Sequence, residues 1–271
     1  MIQRTQRTEQ PLTNEQLHRI APSVFATRPY HGMSEKYAFI PTIQVVDRMR
    51  AEGFAPVYAA QSGTRVEGKG EFTRHMIRFR DVRQGGPITR TLGQVFAELV
   101  LTNSHDGASI YQLDAGLYRL ICMNGAVAAD SVVPGIKVRH TGNADTVIDA
   151  SFEVIDQTPK LIDSVASWQR LQLSAPQANA FATAALQLRY DRNAPITPAQ
   201  VLQVRRHEDA PNTLWNIYNR AQETLTQGGV RGFNPETQRR LTTRRVDGIS
   251  ENIKLNKALW TLAEEMRKLI S

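Results

Sequence analysis

The sequence predicts an α+β fold, with an N-terminal antiparallel sheet and a packed helix followed by a mainly helical C-terminal part. Between residues 54 and 140, several runs alternate apolar and polar residues, which is typical of strands. Beyond Asn143, apolar residues recur at helical spacing instead. Strands and helices do not alternate as βα units and no glycine-rich nucleotide loop opens a helix, so we discount the Rossmann and P-loop classes.

The first half contains signals for two helices and five strands. Thr13 and Gln16 form a capping-box pattern that predicts a short helix ending before Pro22, while residues 1–10 are polar and predicted to be loose. A second helix is predicted from Pro41 to a C-terminal cap at Gly53. Strands are predicted at 54–61, 74–82, 96–104 and 136–140, and residues 110–122 are predicted to form a strand or a strand that passes into a helix.

The second half reads as a series of helices. Asn143 is a capping residue for a helix that extends to Trp168 and that Pro159 kinks or splits. Further helices are predicted to begin at Ser174, Thr197, Thr213 and Ser250. We therefore divide the chain into an α+β sheet domain at 1–142 and a helical domain at 143–271, which either stand apart or form one integrated domain.

The charge balance favours an acidic partner. The chain has 33 lysines and arginines against 26 aspartates and glutamates, a net charge of +7. Nucleic acid is the first candidate and an anionic membrane surface the second, and the alternative is an ordinary basic surface. The single cysteine, Cys122, excludes an internal disulfide framework and is expected in the core. We expect a cytoplasmic protein without a membrane anchor, because no signal-peptide core or membrane span is present. We also expect no cofactor.

Three arginines mark one strand as a candidate phosphate-binding surface. Alternation along 74–82 places Arg74, Arg78 and Arg80 on one face. Because guanidinium groups gain nothing from being buried together, we expect this face to be open and positive. The alternative is a solvated face that is paired with acids from other elements.

A second basic cluster lies near the C-terminus, and it contains Arg239, Arg240, Arg244, Arg245, Lys254 and Lys257. Arg240 and Arg244 are four residues apart, a spacing that fits one face of a helix. This run is either a set of phosphate contacts or a solubilising surface. The aromatic residues proposed to stack on bases are Tyr58, Tyr111 and Tyr118.

The polar run from Asn103 to Gly107 carries the one enzyme hypothesis. His105 beside Asp106 supplies a base or a metal ligand if His140 and His75 join them in space. The spacing matches no established metal motif. The alternative is a turn whose side chains bind the local backbone.

Four separated motifs identify a family resemblance. They are LTNSHDGASIYQLDAGLYRLICMNG from Leu101, VRHTGN from Val138, TLWNIYNRAQE from Thr213 and RRVDGISENIKLNKALW from Arg244. In this order they resemble the plasmid- and phage-associated family called domain of unknown function 932, over nearly the whole chain. The resemblance implies a mobile-element setting beside antirestriction and DNA-repair genes, and the order of elements is loosely similar to single-strand annealing proteins.

Three function hypotheses follow. The first is a non-enzymatic DNA-binding protein of a mobile genetic element that binds the phosphate backbone of single-stranded DNA through both basic clusters, as a homo-oligomer, and serves in annealing and recombination or in protection of the strand. The second is an anti-defence, antirestriction-type interaction protein that inhibits a host enzyme by direct binding. The third is a metal-dependent nuclease built on His105, Asp106 and His140.

Overall fold

A seven-stranded antiparallel sheet forms the first half of the part of the chain that the computed structural model describes, residues 4–7, 10–35, 37–83, 95–119, 124–140, 143–191 and 193–271. The strands are β1 (Arg4–Arg7), β2 (Phe54–Gln61), β3 (His75–Asp81), β4 (Val95–Asn103), β5 (Tyr111–Arg119), β6 (Asn124–Val127) and β7 (Ile136–Val138). The first six follow one another in space as in sequence, and β7 pairs with β5 next to β6.

Helices flank the sheet and form most of the second half. They are α1 (Asn14–Ile20), α2 (Thr42–Ala51), α3 (Ala144–Asp156), α4 (Pro159–Arg170), α5 (Ala175–Tyr190), α6 (Pro198–Val201), α7 (Leu214–Gln227) and α8 (Ile249–Ile270). Short 3-10 helices lie at Pro22–Phe25, Gly70–Phe72 and His207–Asp209. A separate hairpin joins β8 (Arg231–Phe233) to β9 (Arg240–Thr242). None of the described helices is both long and apolar enough to cross a membrane.

The predicted fold class is confirmed, and local capping signals account for many boundaries. Thr13 and Gln16 form the expected capping box, and Ser174 forms another with Gln177. Pro159 divides the predicted long helix into α3 and α4, with the proline in the first turn of α4. Gly53 has φ +85°, a conformation that an L side chain rarely adopts, directly after α2.

Two local predictions are wrong and one lies outside the described residues. Residues 4–7 form β1 and pair with β2, because a sheet edge recruits a strand through backbone hydrogen bonds. Arg240 begins a strand, so it does not share a helical face with Arg244. The prediction that Cys122 belongs to the core falls on residues 120–123, which lie outside the described part of the chain.

Helices cover both faces of the sheet. Ile77 and Phe79 point into the main apolar core, where α2 and α3 pack against strands β2 and β5. Met76 and Val100 lie on the opposite face and form a second apolar cluster with Ile249 and Ile253 of α8. The first residues of α8 thus cover the face that the sequence predicts to be open.

The main apolar core is continuous between the sheet and the helical part. It includes Leu12 and Leu99 from the first half and Trp168 and Trp260 from the second. The rings of these two tryptophans lie 4.7 Å apart and are fully buried. The division of the chain at 142 and 143 stays a prediction.

Lys257 fixes α8 to the sheet. Its ammonium lies 2.7 Å from Oδ1 of Asp114 on β5 and 2.6 Å from Oδ1 of Asp130. Burial lowers the pKa of Lys257, but the two carboxylates outweigh it and raise the pKa above its usual value. The side chain of Asp114 is 1% exposed, so this ion pair satisfies a charge inside the protein.

Replacing Lys257 should destabilise the fold. We expect Lys257→Met to lower the free energy of unfolding by about 3 kcal/mol, because it leaves the buried carboxylate of Asp114 without its cation. The double variant Lys257→Met with Asp114→Asn should regain most of this loss. Chemical denaturation measures both.

The matched control is Lys254→Met, one turn earlier on α8, where the side chain is exposed. It should change the free energy of unfolding by less than about 0.5 kcal/mol. An equal loss in the single Lys257 variant and the double variant would contradict the ion-pair explanation.

Candidate nucleic-acid interface

The expectation that the strand arginines form an open positive face is wrong for two of the three. The side chains of Arg78 and Arg80 are 2% and 11% exposed. Both guanidinium groups bind the buried carboxylate of Glu98, at 3.3 Å and 2.8 Å. Arg78 also donates to the carbonyl oxygen of Ala126. Glu98 lies on β4, the strand next to β3 in the sheet. Alternation along one strand does not predict a partner on another strand.

The predicted stacking residues are mostly buried as well. Tyr111 and Tyr118 are 0% and 1% exposed, so their rings do not offer a face to a base, and Tyr58 is half-buried. The guanidinium carbon of Arg80 lies 4.8 Å from the ring centre of Tyr118 and 4.6 Å from that of Phe96. The aromatic residues of this sheet face therefore contact protein.

Of the three arginines predicted on this strand, Arg74 is the one that reaches the protein surface. It directly precedes β3 and lies next to Lys254 and Lys257 of the C-terminal cluster. It donates to the hydroxyl of Ser250 and, at 2.6 Å, to the carbonyl oxygen of Ala108. A groove of about 320 Å³ between the sheet and α8 is lined by Arg74, Lys254 and Lys257 together with hydroxyl and amide side chains. The structure thus brings one residue of the first predicted basic cluster, Arg74, to two residues of the second, Lys254 and Lys257, although Lys257 is held by carboxylates.

The remaining C-terminal arginines are exposed and make no ion pair with the residues that the structure describes. Arg239, Arg240, Arg244 and Arg245 all lie at the surface. Among the described residues, no carboxylate lies within ion-pair distance of their guanidinium groups. These four cations are therefore available to an external anion, which Arg78 and Arg80 are not.

The sequence reasoning missed the hairpin that carries part of this cluster. Strands β8 and β9 have three residues each, too few for periodicity to detect. The available signal was Asn234-Pro235, since Asn234 Oδ1 accepts hydrogen bonds from the backbone N–H groups of Glu236 and Thr237, both at 2.9 Å. The hairpin adds two exposed residues to the surface, Arg231 and Phe233.

The run from Asn103 to Gly107 forms a turn over a buried histidine network. Asp106 Oδ1 accepts from the backbone N–H of Ala108 at 3.0 Å, and its other oxygen pairs with Lys69 at 3.1 Å. Gly107 has φ +75°. Asp106 is therefore committed to the turn. Burial by itself raises the pKa of Asp106, but the hydrogen bond from the Ser104 side chain, together with those from Ala108 and Lys69, outweighs it and lowers the pKa.

His105 meets the other two predicted histidines inside the protein. The ring centres of His75 and His105 are 5.5 Å apart, and those of His105 and His140 are 6.4 Å apart. The hydroxyl of Thr42, the first residue of α2, lies 3.0 Å from His75 Nε2 and 3.1 Å from His105 Nε2. Asn103 Nδ2 donates to the same hydroxyl at 3.2 Å, while its Oδ1 lies 2.9 Å from His140 Nε2.

The hydrogen bonds around His75 and His140 indicate which ring nitrogen of each carries a proton. Ser23 donates its hydroxyl proton to Gln61 Oε1 at 2.7 Å, so it accepts from His75 Nδ1 at 2.8 Å. The Thr42 hydroxyl carries one proton and faces His75 Nε2, His105 Nε2 and, at 3.0 Å, the Tyr111 hydroxyl, so it donates to one of the three.

The same reasoning places the proton of His140 on Nε2, because Asn103 Oδ1 can only accept. The Nδ1 atoms of His105 and His140 are buried and have no hydrogen-bond partner among the described residues. In that part of the chain, no three histidine, cysteine, aspartate or glutamate side chains are arranged to hold a metal ion. The nuclease hypothesis stays a prediction.

All three histidines are held neutral. Burial lowers the pKa of His105 to about 4, and the neighbouring His140 adds to this effect. Burial also lowers the pKa of His75 and of His140. A histidine that is neutral in the folded state and protonated in the unfolded state destabilises the fold as the pH falls below its ordinary pKa.

We therefore expect the free energy of unfolding to decrease between pH 7.5 and pH 5.5. His105 alone contributes roughly 1 kcal/mol to this decrease, because its pKa of about 4 lies below the ordinary value of about 6.5. This loss of stability is small at pH 7.5, begins as the pH falls through the ordinary pKa of about 6.5, and grows until the pH reaches about 4, where the folded state also takes up the proton. Urea denaturation at several pH values measures it.

The variant His105→Gln should flatten this pH dependence relative to the wild type. The control is His31→Gln, at an exposed position, which should leave the pH dependence unchanged. A wild-type stability that does not vary over this pH range would contradict the neutral network.

Comparisons with known proteins give relatives without a described activity. The chain matches the family described as Domain of unknown function (DUF932) over residues 29–260. It is 40% identical over 262 residues to the UPF0380 protein YafZ of Escherichia coli (strain K12), covering 96% of this chain and 93% of that protein. The UPF0380 protein YfjQ of the same organism is 39% identical over 262 residues, with the same coverage. No solved structure matches the chain.

Proposed function

Because the chain belongs to the family described as Domain of unknown function (DUF932), which carries no assigned activity, we propose from its surface that it is a nucleic-acid-binding protein. It contacts the phosphate backbone, with single-stranded DNA as the favoured partner. The protein acts in the cytoplasm, and assembly into a homo-oligomer stays a prediction. The proposal no longer includes Arg78 and Arg80, whose guanidinium groups bind Glu98 inside the protein.

One observation carries the proposal: a cluster of unpaired arginines on a short segment. Residues 228–248 contain five arginines and only two carboxylates, Glu236 and Asp247. The arginines are Arg231, Arg239, Arg240, Arg244 and Arg245, and all five are exposed. Exposed cations of this density repel one another, and an anionic polymer relieves that repulsion while releasing its own counterions.

The groove beside α8 extends this surface. Arg245 precedes Ser250 by five residues, so their Cα atoms are at most about 18 Å apart. Arg74 and Lys254 line the groove at that point. A nucleic-acid strand bound at Arg245 therefore has a second pair of cations within a few nucleotides of chain length, which supports backbone tracking over a single isolated phosphate site.

A salt titration tests the proposal. Fluorescence anisotropy with labelled single-stranded DNA, duplex DNA and RNA should show binding whose affinity falls linearly with the logarithm of the salt concentration. Replacing Arg239, Arg240, Arg244 and Arg245 together by glutamine should weaken binding at low salt. It should also reduce the salt slope by about 3, since each phosphate contact to a single strand contributes about 0.7.

The matched control removes four exposed cations elsewhere: Arg28, Arg65, Lys160 and Arg170, each replaced by glutamine. It produces the same net charge as the test variant. If the two variants lose affinity equally, the binding reflects overall charge and the proposed surface is wrong. If the wild type binds none of the three probes at low salt, the proposed function is wrong.

A further inference from the structure

The hairpin presents one aromatic ring among its arginines. Strands β8 and β9 pair so that Phe233 lies directly opposite Arg240, and Arg231 lies opposite Thr242. Directly opposed residues of an antiparallel pair project to the same face, as do residues two positions apart on a strand. The side chains of Arg231, Phe233, Arg240 and Thr242 therefore share one face, and all four are exposed.

The opposite face of the hairpin is fixed to the body of the protein. Gly232 is buried, and a Cβ atom at this position would collide with the carbonyl oxygen of Pro195. The backbone N–H of Phe233 donates to the same carbonyl oxygen at 2.9 Å. Gln200 Nε2 donates to the carbonyl oxygen of Arg231 at 2.8 Å. The outward face thus has a fixed backbone orientation, so the hairpin backbone does not have to be ordered when a ligand binds.

Phe233 is 54% exposed, and no aromatic ring or guanidinium of the described residues stacks on it. An open concavity of about 440 Å³ lies at the hairpin and is lined by residues of both strands. A free aromatic face between two unpaired arginines matches the chemistry of a nucleotide, which has a flat base beside an anionic phosphate.

We propose that Phe233 stacks on an unpaired base of a single-stranded nucleic acid while Arg231 and Arg240 bind the flanking phosphates. This inference rests on the proposed function and specifies how the same surface distinguishes strand states. The bases of a duplex already stack on one another and do not expose a face to a side chain, whereas a single strand offers each base to the ring. The excess of positive charge on residues 228–248 favours an anionic polymer over an apolar peptide that carries no acidic residues.

Substitution of Phe233 separates stacking from charge. Phe233→Ala should weaken binding to a labelled single-stranded DNA oligonucleotide about tenfold, because it removes one base contact. Affinity for a duplex of the same sequence should change by less than about twofold, since every phosphate-binding cation remains. The salt slope should stay that of the wild type for the same reason. Val66→Ala, at another exposed apolar position, is the control and should change neither affinity.

Two further variants test the role of the ring itself. Phe233→Leu keeps an apolar side chain without an aromatic face and should bind single strands as weakly as Phe233→Ala. Phe233→Trp should bind as tightly as the wild type, and its emission should be quenched by the single strand and not by the duplex. The three native tryptophans, Trp168, Trp215 and Trp260, are buried, so the wild type supplies the background signal.

The outcomes distinguish the two proposals. If the wild type binds with a steep salt dependence but Phe233→Ala binds single strands normally, or loses single-strand and duplex affinity equally, the stacking inference is wrong and the proposed function stands. If Phe233→Leu binds as the wild type does, an apolar contact replaces stacking and the inference is also wrong. Failure of the wild type to bind any nucleic acid overturns both.

Discussion

Burial of the sheet on both faces is the constraint on which the rest of the structure depends. The sheet is covered by α2 and α3 on one side and by α8 on the other, so polar side chains on either face must find partners inside the protein. On the first face, Thr42 joins the histidines to Asn103. On the second, Glu98 holds two arginines. The buried polar groups of the sheet thus follow from its coverage by helices.

This constraint also decides which cations are available to a partner. A basic residue on a sheet face covered by a helix is used for internal pairing, as in Arg78 with Glu98. A basic residue on an element that packs only one side against the body keeps its charge free, as the hairpin arginines do. Net charge alone does not separate these two groups, because both count equally toward +7. The available positive surface is therefore smaller than the composition indicates, and residues 231–245 contribute five exposed arginines to it.

The sequence allowed the local elements to be predicted and left their partners unknown. Thr13, Ser174 and Pro159 act on residues within one helical turn, so their effects can be read from short spacings. Lys257 pairs with Asp114, 143 positions earlier, and no local pattern indicates that contact. The same holds for Arg78 and Glu98, which pair because β3 and β4 are neighbours and α8 covers them. The basic cluster of the C-terminal segment was predicted, whereas its strand conformation was not, because each strand has only three residues.

The histidine network and the hairpin surface differ in what they can do for a ligand. His75 and His105 are completely buried and both lie against the hydroxyl of Thr42, so a ligand would have to displace protein contacts to reach them. Phe233 requires no such displacement, because its exposed ring already lies between arginines on a fixed hairpin. Phosphate binding depends on the salt concentration and stacking does not. The salt slope therefore measures the phosphate contacts, and the difference between single-strand and duplex affinity measures stacking. A surface that combines them binds any polynucleotide at low salt and retains a preference for unpaired bases as the salt concentration rises.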